Sequence, residues 1–328
     1  MRFFILIFSL LMGVAAGQAQ EVFQRSFVKM GSAFDLTVVA KNQDEANAFI
    51  DSAIREIDRI ERLISSWDST SQTSLVNTMA GIRPVKVSRE LYDLVDRARA
   101  IAQLTDGAFD PTYASVDRLW VFEGQEVKRP DDAVVKASVE KIGYEKIVFD
   151  PIDTSLFLPL KGMKLGFGAI GKGYAADRVK RLLQAKGVQA GIINASGDMS
   201  SWGMQPNGTP WQIGLVNPLN KDKVFAWFPL KDQAVVTSGD YEKFLLIDGK
   251  RYGHIIHPKT GYPSTGVISC TVFAPKAELA DALSTALFVM GVEVGIDFIN
   301  QINQVEAVMI NEQGQVFSSK NITTDETI

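Results

Sequence analysis

The sequence predicts an α+β protein built from antiparallel sheets with packed helices, and three features carry that reading. Strand-like runs joined by short turns outnumber strand–helix–strand units, the reverse of what a doubly wound parallel sheet needs. Amphipathic stretches at helical spacing stand apart from the strand-rich ones. The composition, 46% hydrophobic and 22% charged over 328 residues, is that of an ordinary globular chain, long enough for one large core or two lobes. No low-complexity linker or short-period repeat divides it.

Residues 1–19 stand outside this fold. Met1-Arg2 makes a short positive start and an apolar run of about ten residues follows, short for a bilayer span. Gly17 and Ala19 supply the small residues of a cleavage site, with Gln20 leading the mature chain. This reads as a secretory signal peptide over 1–19, an uncleaved anchor being the alternative. It predicts one exported, periplasmic domain over 20–328.

Along that domain, Phe34, Leu36 and Val38 alternate with Asp35 and Thr37 as an early strand. Residues 45–65 place Ala46, Ile50, Ala53, Ile57, Ile60 and Ile64 on one helical face. Ser88 caps a second helix through Ala102, stopped by Asp106-Gly107. A weaker helix spans 132–141, and strands follow at 146–150, 156–160 and 164–167. A helix opens near Gly171 and closes at Lys186-Gly187. Strands then come thickly, at 190–194, 212–216, 224–229, 234–237 and 244–247, with Asp248-Gly249 turning into 251–257. A strand over 267–274 precedes helices over 277–290 and 292–302, and a closing hairpin turns near Gly314. The polar tail, 321–328, is expected to fray.

Composition narrows function. The net charge of −4 offers no electrostatic footprint for duplex nucleic acid. The single cysteine, Cys270, rules out an intrachain disulfide and a cysteine-rich zinc site, and its strand-like surroundings read as core. The two histidines, His254 and His257, share one segment, so histidine chemistry has one place to occur.

Four constellations stand out. Gly166-Phe167-Gly168-Ala169-Ile170-Gly171-Lys172-Gly173 follows a strand and opens a helix. It matches G-x-G-x-x-G, yet the next strand ends in Asn194 rather than an acid. It matches a phosphate-binding G-x-x-x-x-G-K loop, yet Gly173 replaces the final hydroxyl. Glycine amides, a helix start and Lys172 still suit an anion, and a plain tight turn is the bland alternative. Asp281 and Thr285 share one face of a mostly apolar helix. A carboxylate and a hydroxyl there suit Mg²⁺ or simply a buried hydrogen bond. Thr237-Ser238-Gly239-Asp240-Tyr241 with the 251–263 segment reads as a ligand loop on a sheet edge. His254 and His257 lack the further ligands a zinc site needs. Gly107-Ala108-Phe109-Asp110-Pro111-Thr112 is either a turn or the lining of a cleft.

These blocks, with Met30-Gly31-Ser32, Gly168 through Asp177, Asn194-Ala195-Ser196-Gly197-Asp198, His254 through Gly261 and Ala280 through Ala286, occur in the order seen in the FAD:protein FMN transferase (ApbE) family, and the chain resembles that family over nearly all of its mature length. The resemblance implies a two-lobed, T-fold-like α+β fold with FAD in a cleft between the lobes. It implies a magnesium-dependent enzyme that splits FAD and places FMN, through a phosphoester bond, on a Thr or Ser hydroxyl of an exported or membrane respiratory protein, releasing AMP. A periplasmic FAD pyrophosphatase and a non-catalytic flavin-binding or delivery protein are the alternatives. By the same resemblance, Asp281, Thr285 and the Ala169 carbonyl hold the metal. Met30, Trp67, Asp110, Thr112, Lys172 and His254 contact FAD, and Asp281 and Lys172 serve catalysis. The implied acceptor carries an Asp-Gly-x-Ser/Thr-Gly-Ala-Thr/Ser-like segment. This chain's closest stretch, 264–269, lacks the small residue after its glycine, so self-flavinylation is not expected.

The chain departs from the family pattern where His257 stands for an aspartate, where Gly166 stands for a second aspartate, and where Ser196 stands in a usual Gly-Gly pair.

Overall fold

The structure is a computed structural model that describes residues 20–116, 119–120, 129–239, 244–247 and 250–322. Residues 1–19, where a signal peptide is expected, residues 248–249, where a hairpin turn is expected, Asp240-Tyr241 and the tail beyond 322 lie outside the described residues. In chain order the elements are β1 (Glu21–Lys29), β2 (Ser32–Ala40), α1 (Gln43–Ile64), α2 (Gln72–Thr78), β3 (Val85–Lys86), α3 (Arg89–Leu104), α4 (Asp132–Val139), β4 (Val148–Asp150), β5 (Ser155–Phe157), α5 (Gly171–Ala185), β6 (Gly191–Ala195), β7 (Asp198–Trp202), β8 (Trp211–Asn217), β9 (Asn220–Leu230), β10 (Ala234–Gly239), β11 (Phe244–Ile247), β12 (Lys250–Gly253), β13 (Val267–Ala274), α6 (Ala277–Met290), α7 (Val292–Ile299), β14 (Glu306–Asn311) and β15 (Val316–Ser318).

The main sheet has eight strands in the order β1-β2-β6-β7-β10-β13-β14-β15. Every neighbouring pair is antiparallel, as the hairpin-rich sequence predicts. Alternation sends Phe34, Leu36, Val38, Val236 and Val272 to one face, against Ile50, Ile57 and Ile60 of α1, Val179 of α5 and Leu283 and Leu287 of α6. The opposite face carries Val39, Val235, Phe273 and Val308, covered by Trp211, Ile213, Phe225 and Leu230 of the β8–β9 hairpin. With both faces covered, β13 is buried along its whole length, its polar Ser269 and Thr271 included, rather than on alternate residues. Each large aliphatic side chain buried this way contributes about 1.5–3 kcal/mol. Cys270 lies in this strand, fully buried, and burial pushes its thiol pKa upward, so it packs rather than reacts.

The smaller lobe comprises α2, α3, α4 and the sheet β3-β5-β4. It is not a separate body: Leu91, Leu94, Val95, Leu156 and Leu158 belong to the same apolar cluster as the helix face of the main sheet.

The structure corrects the sequence reading in places. Residues 164–167 form no strand: the Asn77 side chain pairs with Leu165 N (2.7 Å) and Leu165 O (3.0 Å), and Ser115 Oγ accepts from Lys164 N at 2.8 Å. Side chains thus supply the partners a neighbouring strand would. The strand expected at 251–257 ends at Gly253, and beyond it Ile256 pairs only with Pro263. β1, α2, β3 and β7 are elements the sequence reading left out. The caps at Ser88 (to Leu91 N, 3.3 Å) and Asn42 (to Glu45 N, 2.9 Å) are formed.

Candidate active site

A cavity of about 610 Å³ opens where the start of α5, the β6–β7 turn, the end of β10, the 254–258 loop and α6 meet, and Ala169, Lys172, Asp198, Ser238, Asp281 and Thr285 line it. The glycine loop makes this convergence possible. A methyl group on Gly173 would lie 2.2 Å from Ala277 O and 2.8 Å from Asp281 Cβ, so only glycine lets α5 approach α6 this closely. In that contact Gly173 N donates to Asp281 Oδ2 at 3.0 Å. Asp177, one turn along α5, completes the join. Its carboxylate accepts from Ala277 N and Glu278 N, both at 3.0 Å, and so caps α6, whose own N-cap residue Lys276 supplies no side-chain bond. Two helix starts are thereby locked together, and Asp281 is fixed one turn into the second.

The opposite wall is a two-residue turn. Ala195 pairs with Asp198 across Ser196-Gly197, whose φ values are 57° and 98°, and Asn194 Oδ1 accepts from Gly197 N at 2.8 Å. This fixes Asp198 as the first residue of β7, facing Lys172.

The electrostatics are unbalanced. Lys172 Nζ lies 2.8 Å from Asp198 Oδ2. Asp198 is 1% exposed and Asp281 4%. Burial raises the pKa of both carboxyls, and the charge of Asp198 pushes Asp281 further, against the opposing pull of Lys172. Burial also works against the Lys172 charge, but the two aspartates outweigh it and raise its pKa. The Lys172 charge, with hydrogen bonding to Lys172 and Asp281, opposes the rise at Asp198. One ammonium faces two buried carboxylates, and the cavity suits an additional cation bound through hard oxygen donors. Among the described residues no group of three or more His, Cys, Asp or Glu side chains is placed to hold a metal ion, in this cavity or elsewhere, so a cation here would draw on fewer carboxylates together with hydroxyl and carbonyl oxygens.

The sequence-predicted residues fall into distinct positions. Lys172, Ala169, Asp281, Thr285, Asp110 and His254 all line this cavity. Asp110 is tied down there: Oδ1 accepts from Thr112 N (2.7 Å) and Thr112 Oγ1 (2.6 Å), and Oδ2 from Tyr144 N (3.0 Å). Burial raises its pKa, and those bonds oppose the rise. Thr112 is fully buried behind it, its hydroxyl also accepting from Gly143 N at 2.8 Å, so it orients Asp110 rather than facing the cavity. Trp67 is 77% exposed and lines an adjoining cavity of about 790 Å³, which shares Tyr113, Gly168 and Ile256 with the first. Met30 sits in the β1–β2 turn with φ 51°, its N donating to Glu61 Oε2 at 3.2 Å, and packs beside Gly171 without lining either cavity.

The departures from the family pattern also have physical settings. His257 Nδ1 accepts from Lys259 N at 3.1 Å, and burial, with the Lys259 charge, lowers its pKa, so the ring is neutral and serves its own loop. At Gly166 a Cβ would lie 2.7 Å from Ala114 Cβ and 3.2 Å from Tyr113 Cε1, leaving no room for an aspartate. Asp198, Tyr113 and Ser238 line the site although the sequence reading assigned them no role. Asp198 and Ser238 lay inside blocks it had singled out, whereas Tyr113 carried no signal beyond following Thr112.

Residues 30–309 match the ApbE family. The chain belongs to the ApbE family. Among its relatives, the FAD:protein FMN transferase of Klebsiella pneumoniae (strain 342) is 33% identical over 303 residues, covering 91% of this chain and 92% of that protein. The FAD:protein FMN transferase of Treponema pallidum (strain Nichols) is 30% identical over 327 residues, covering 94% and 90%. The ApbE protein of Thermotoga maritima superposes with a TM-score of 0.84 at 31% identity, over 92% of this chain and 97% of that one. The apo flavinyl transferase ApbE of Pseudomonas stutzeri does so with 0.82 at 26% identity, over 92% and 95%. This ApbE-family chain is therefore an enzyme of the flavin transferase class, on the antiparallel α+β fold those structures share.

Proposed function

We propose that this ApbE-family enzyme splits FAD and attaches the FMN half to a Thr or Ser hydroxyl of an exported or membrane-tethered respiratory protein, with AMP as leaving group and Mg²⁺ as cofactor. In that reaction the acceptor oxygen bonds to the phosphorus next to riboflavin, and the bond from that phosphorus to the bridging oxygen breaks. The bridging oxygen leaves with AMP, and the proton of the acceptor hydroxyl passes to solvent. Such a displacement needs in-line positioning and neutralised phosphate charge more than covalent help from the protein. Ala169 O, Asp281 and Thr285 are the residues that would hold Mg²⁺, which when bound neutralises charge developing on the pyrophosphate oxygens. Lys172 adds a fixed positive charge at the same wall, and Asp198 holds that ammonium in place. The observation that carries the reading is the pair of buried carboxylates facing one lysine in a cavity of nucleotide-binding size. Residues 1–19 would direct the protein to the periplasm, where the proposed acceptor carries an Asp-Gly-x-Ser/Thr-Gly-Ala-Thr/Ser-like segment.

The test is incubation of the protein with FAD and Mg²⁺, with and without an acceptor protein bearing that segment, reading AMP release and covalent flavin fluorescence. Acceptor-dependent labelling with stoichiometric AMP is expected. AMP without labelling makes the enzyme a pyrophosphatase, and FAD binding without AMP makes it a carrier. Asp281→Asn is expected to lower AMP release by on the order of a hundredfold, as when a charge-stabilising group is lost, while FAD still binds.

A further inference from the structure

Beneath the cavity floor runs a short chain of hydroxyls whose proton order is fixed by its last member. Ser284 is fully buried on α6, and its Oγ lies 2.9 Å from Asp281 O and 2.7 Å from Ser238 Oγ. A backbone carbonyl only accepts, so Ser284 gives its one proton to Asp281 O. Both contacts are then satisfied in only one way: Ser238 donates to Ser284. With its proton committed downward, Ser238 has only lone pairs left for the cavity it lines. The neighbouring Thr237 differs, because its partner is another hydroxyl, Thr271 Oγ1 at 2.8 Å, and either can donate.

We propose that Ser238 is a substrate-contacting residue that accepts a hydrogen bond from an O–H or N–H donor of the bound reactants. The contact excludes phosphate, because a phosphate oxygen at neutral pH offers only lone pairs, and two acceptors facing each other repel. Two sources of such a donor reach a flavin transfer site: the dinucleotide, through its polyol, ribose or ring N–H groups, and the Thr or Ser hydroxyl of the acceptor protein. In both cases Ser238 orients a group without taking its proton, since a hydroxyl already donating to Ser284 has no downstream site to pass a proton to. The position is rigid. Ser238 lies on β10 opposite Cys270 of the fully buried β13, on the face that carries Val236. Its partner Ser284 is three residues from Asp281, so the hydroxyl is held to the same helix as the proposed metal ligand. This inference rests on the transferase reading.

The experiment compares wild type with Ser238→Ala and with Ser238→Cys. The thiol keeps the shape and still donates to Ser284 but is a poor acceptor. FAD affinity is measured without acceptor protein, then KM and kcat with it, alongside a melting curve. Both variants are expected to lose on the order of tenfold in one affinity, the effect of one net hydrogen bond, with Tm and kcat changed far less. A rise in the FAD dissociation constant places the donor on the dinucleotide. An unchanged FAD dissociation constant with a raised acceptor KM places it on the incoming hydroxyl. Wild-type affinities in both folded variants overturn the proposal while leaving the transferase reading intact. Wild type that neither binds FAD nor releases AMP overturns both.

Discussion

Lys172 shows how a residue picked out by motif acquires a different physical character once its surroundings are known. At a helix entrance after a glycine loop it reads as a free cation for an anionic ligand. In the structure it is an internal counterion, 2.8 Å from Asp198 and within the field of Asp281. Removing one partner of a buried pair leaves an uncompensated charge, typically a loss of 3–5 kcal/mol, more than the 1–3 kcal/mol of a lost charged hydrogen bond. Lys172→Ala is therefore expected to lower the unfolding free energy by roughly 3 kcal/mol or more in urea titrations at neutral pH, as well as to weaken FAD binding. Adding Asp198→Asn should recover most of the stability but not the affinity. Single and double variants of equal stability would show that the pair is solvated and contributes little. Part of this site's lining was legible: Asp281, Thr285, Lys172, Asp110 and His254 stand in blocks singled out by motif, took their roles from the family resemblance, and all line one cavity. What sequence could not convey was which polar groups satisfy one another, so Thr112 looked like a ligand contact when its hydroxyl is already bonded to Asp110 and to Gly143 N.

At the level of elements, legibility followed the strength of the pattern. The helix α6 (Ala277–Met290) and the strand β13 (Val267–Ala274) were read to the residue because long apolar runs have sharp ends. β1 was missed because it is an edge strand with only intermediate burial on one side, and residues 164–167 were overread because their partners are side chains of distant residues. The cap that Asp177 gives α6 is likewise a contact across 100 residues of sequence. Asp177→Ala should cost about 1–2 kcal/mol, the usual loss of an N-cap, and speed amide exchange at Ala277 and Glu278 selectively. Uniform exchange across the helix start would refute that role. A second tie joins three helices. Arg59 on α1 donates to both Glu90 oxygens on α3 (2.7 and 2.8 Å), and Tyr174 on α5 donates to Glu90 Oε1 at 2.5 Å. Arg59 foremost holds the Glu90 carboxyl down from 4.5 to about 2. A depressed carboxylate pKa stabilises the fold above the unfolded value and loses that contribution as pH falls toward the folded one. The Tm deficit of Glu90→Gln should thus be full at neutral pH and close between pH 4.5 and about 2. Because the pair is partly solvated, the deficit corresponds to at most about 1 kcal/mol. A deficit independent of pH would assign it to packing instead.

For the molecule as a whole, the cleft is the place where stability has been given up. The core is otherwise continuous from the main sheet into the smaller lobe, yet two buried carboxylates confront each other with one lysine between the lobes. Such an arrangement couples folding to whatever neutralises it. The Asp281 carboxyl has a raised pKa, first from burial and then from the Asp198 charge. The sign follows: the protonated carboxyl is tolerated, so its contribution is fully present at acid pH and is lost as pH rises through the folded value. In a chelator, wild type should therefore lose stability on passing from acid to neutral pH, whereas Asp281→Asn, which keeps an acceptor for Gly173 N, should lose less and melt higher than wild type at neutral pH. Mg²⁺ should reverse the order. A ligand bound only by the folded state stabilises it by about 2.7 kcal/mol at a hundred times its dissociation constant, and Asp281→Asn lacks the charge that would bind it. Saturating Mg²⁺ is thus expected to raise the wild-type Tm by several degrees and to leave Asp281→Asn nearly unmoved, with FAD adding a further rise in wild type. Melting curves of both proteins in chelator, in Mg²⁺ and in Mg²⁺ with FAD decide the matter. If Asp281→Asn is the less stable protein in chelator and responds to Mg²⁺ as wild type does, Asp281 is a structural hydrogen-bond acceptor and the metal belongs elsewhere.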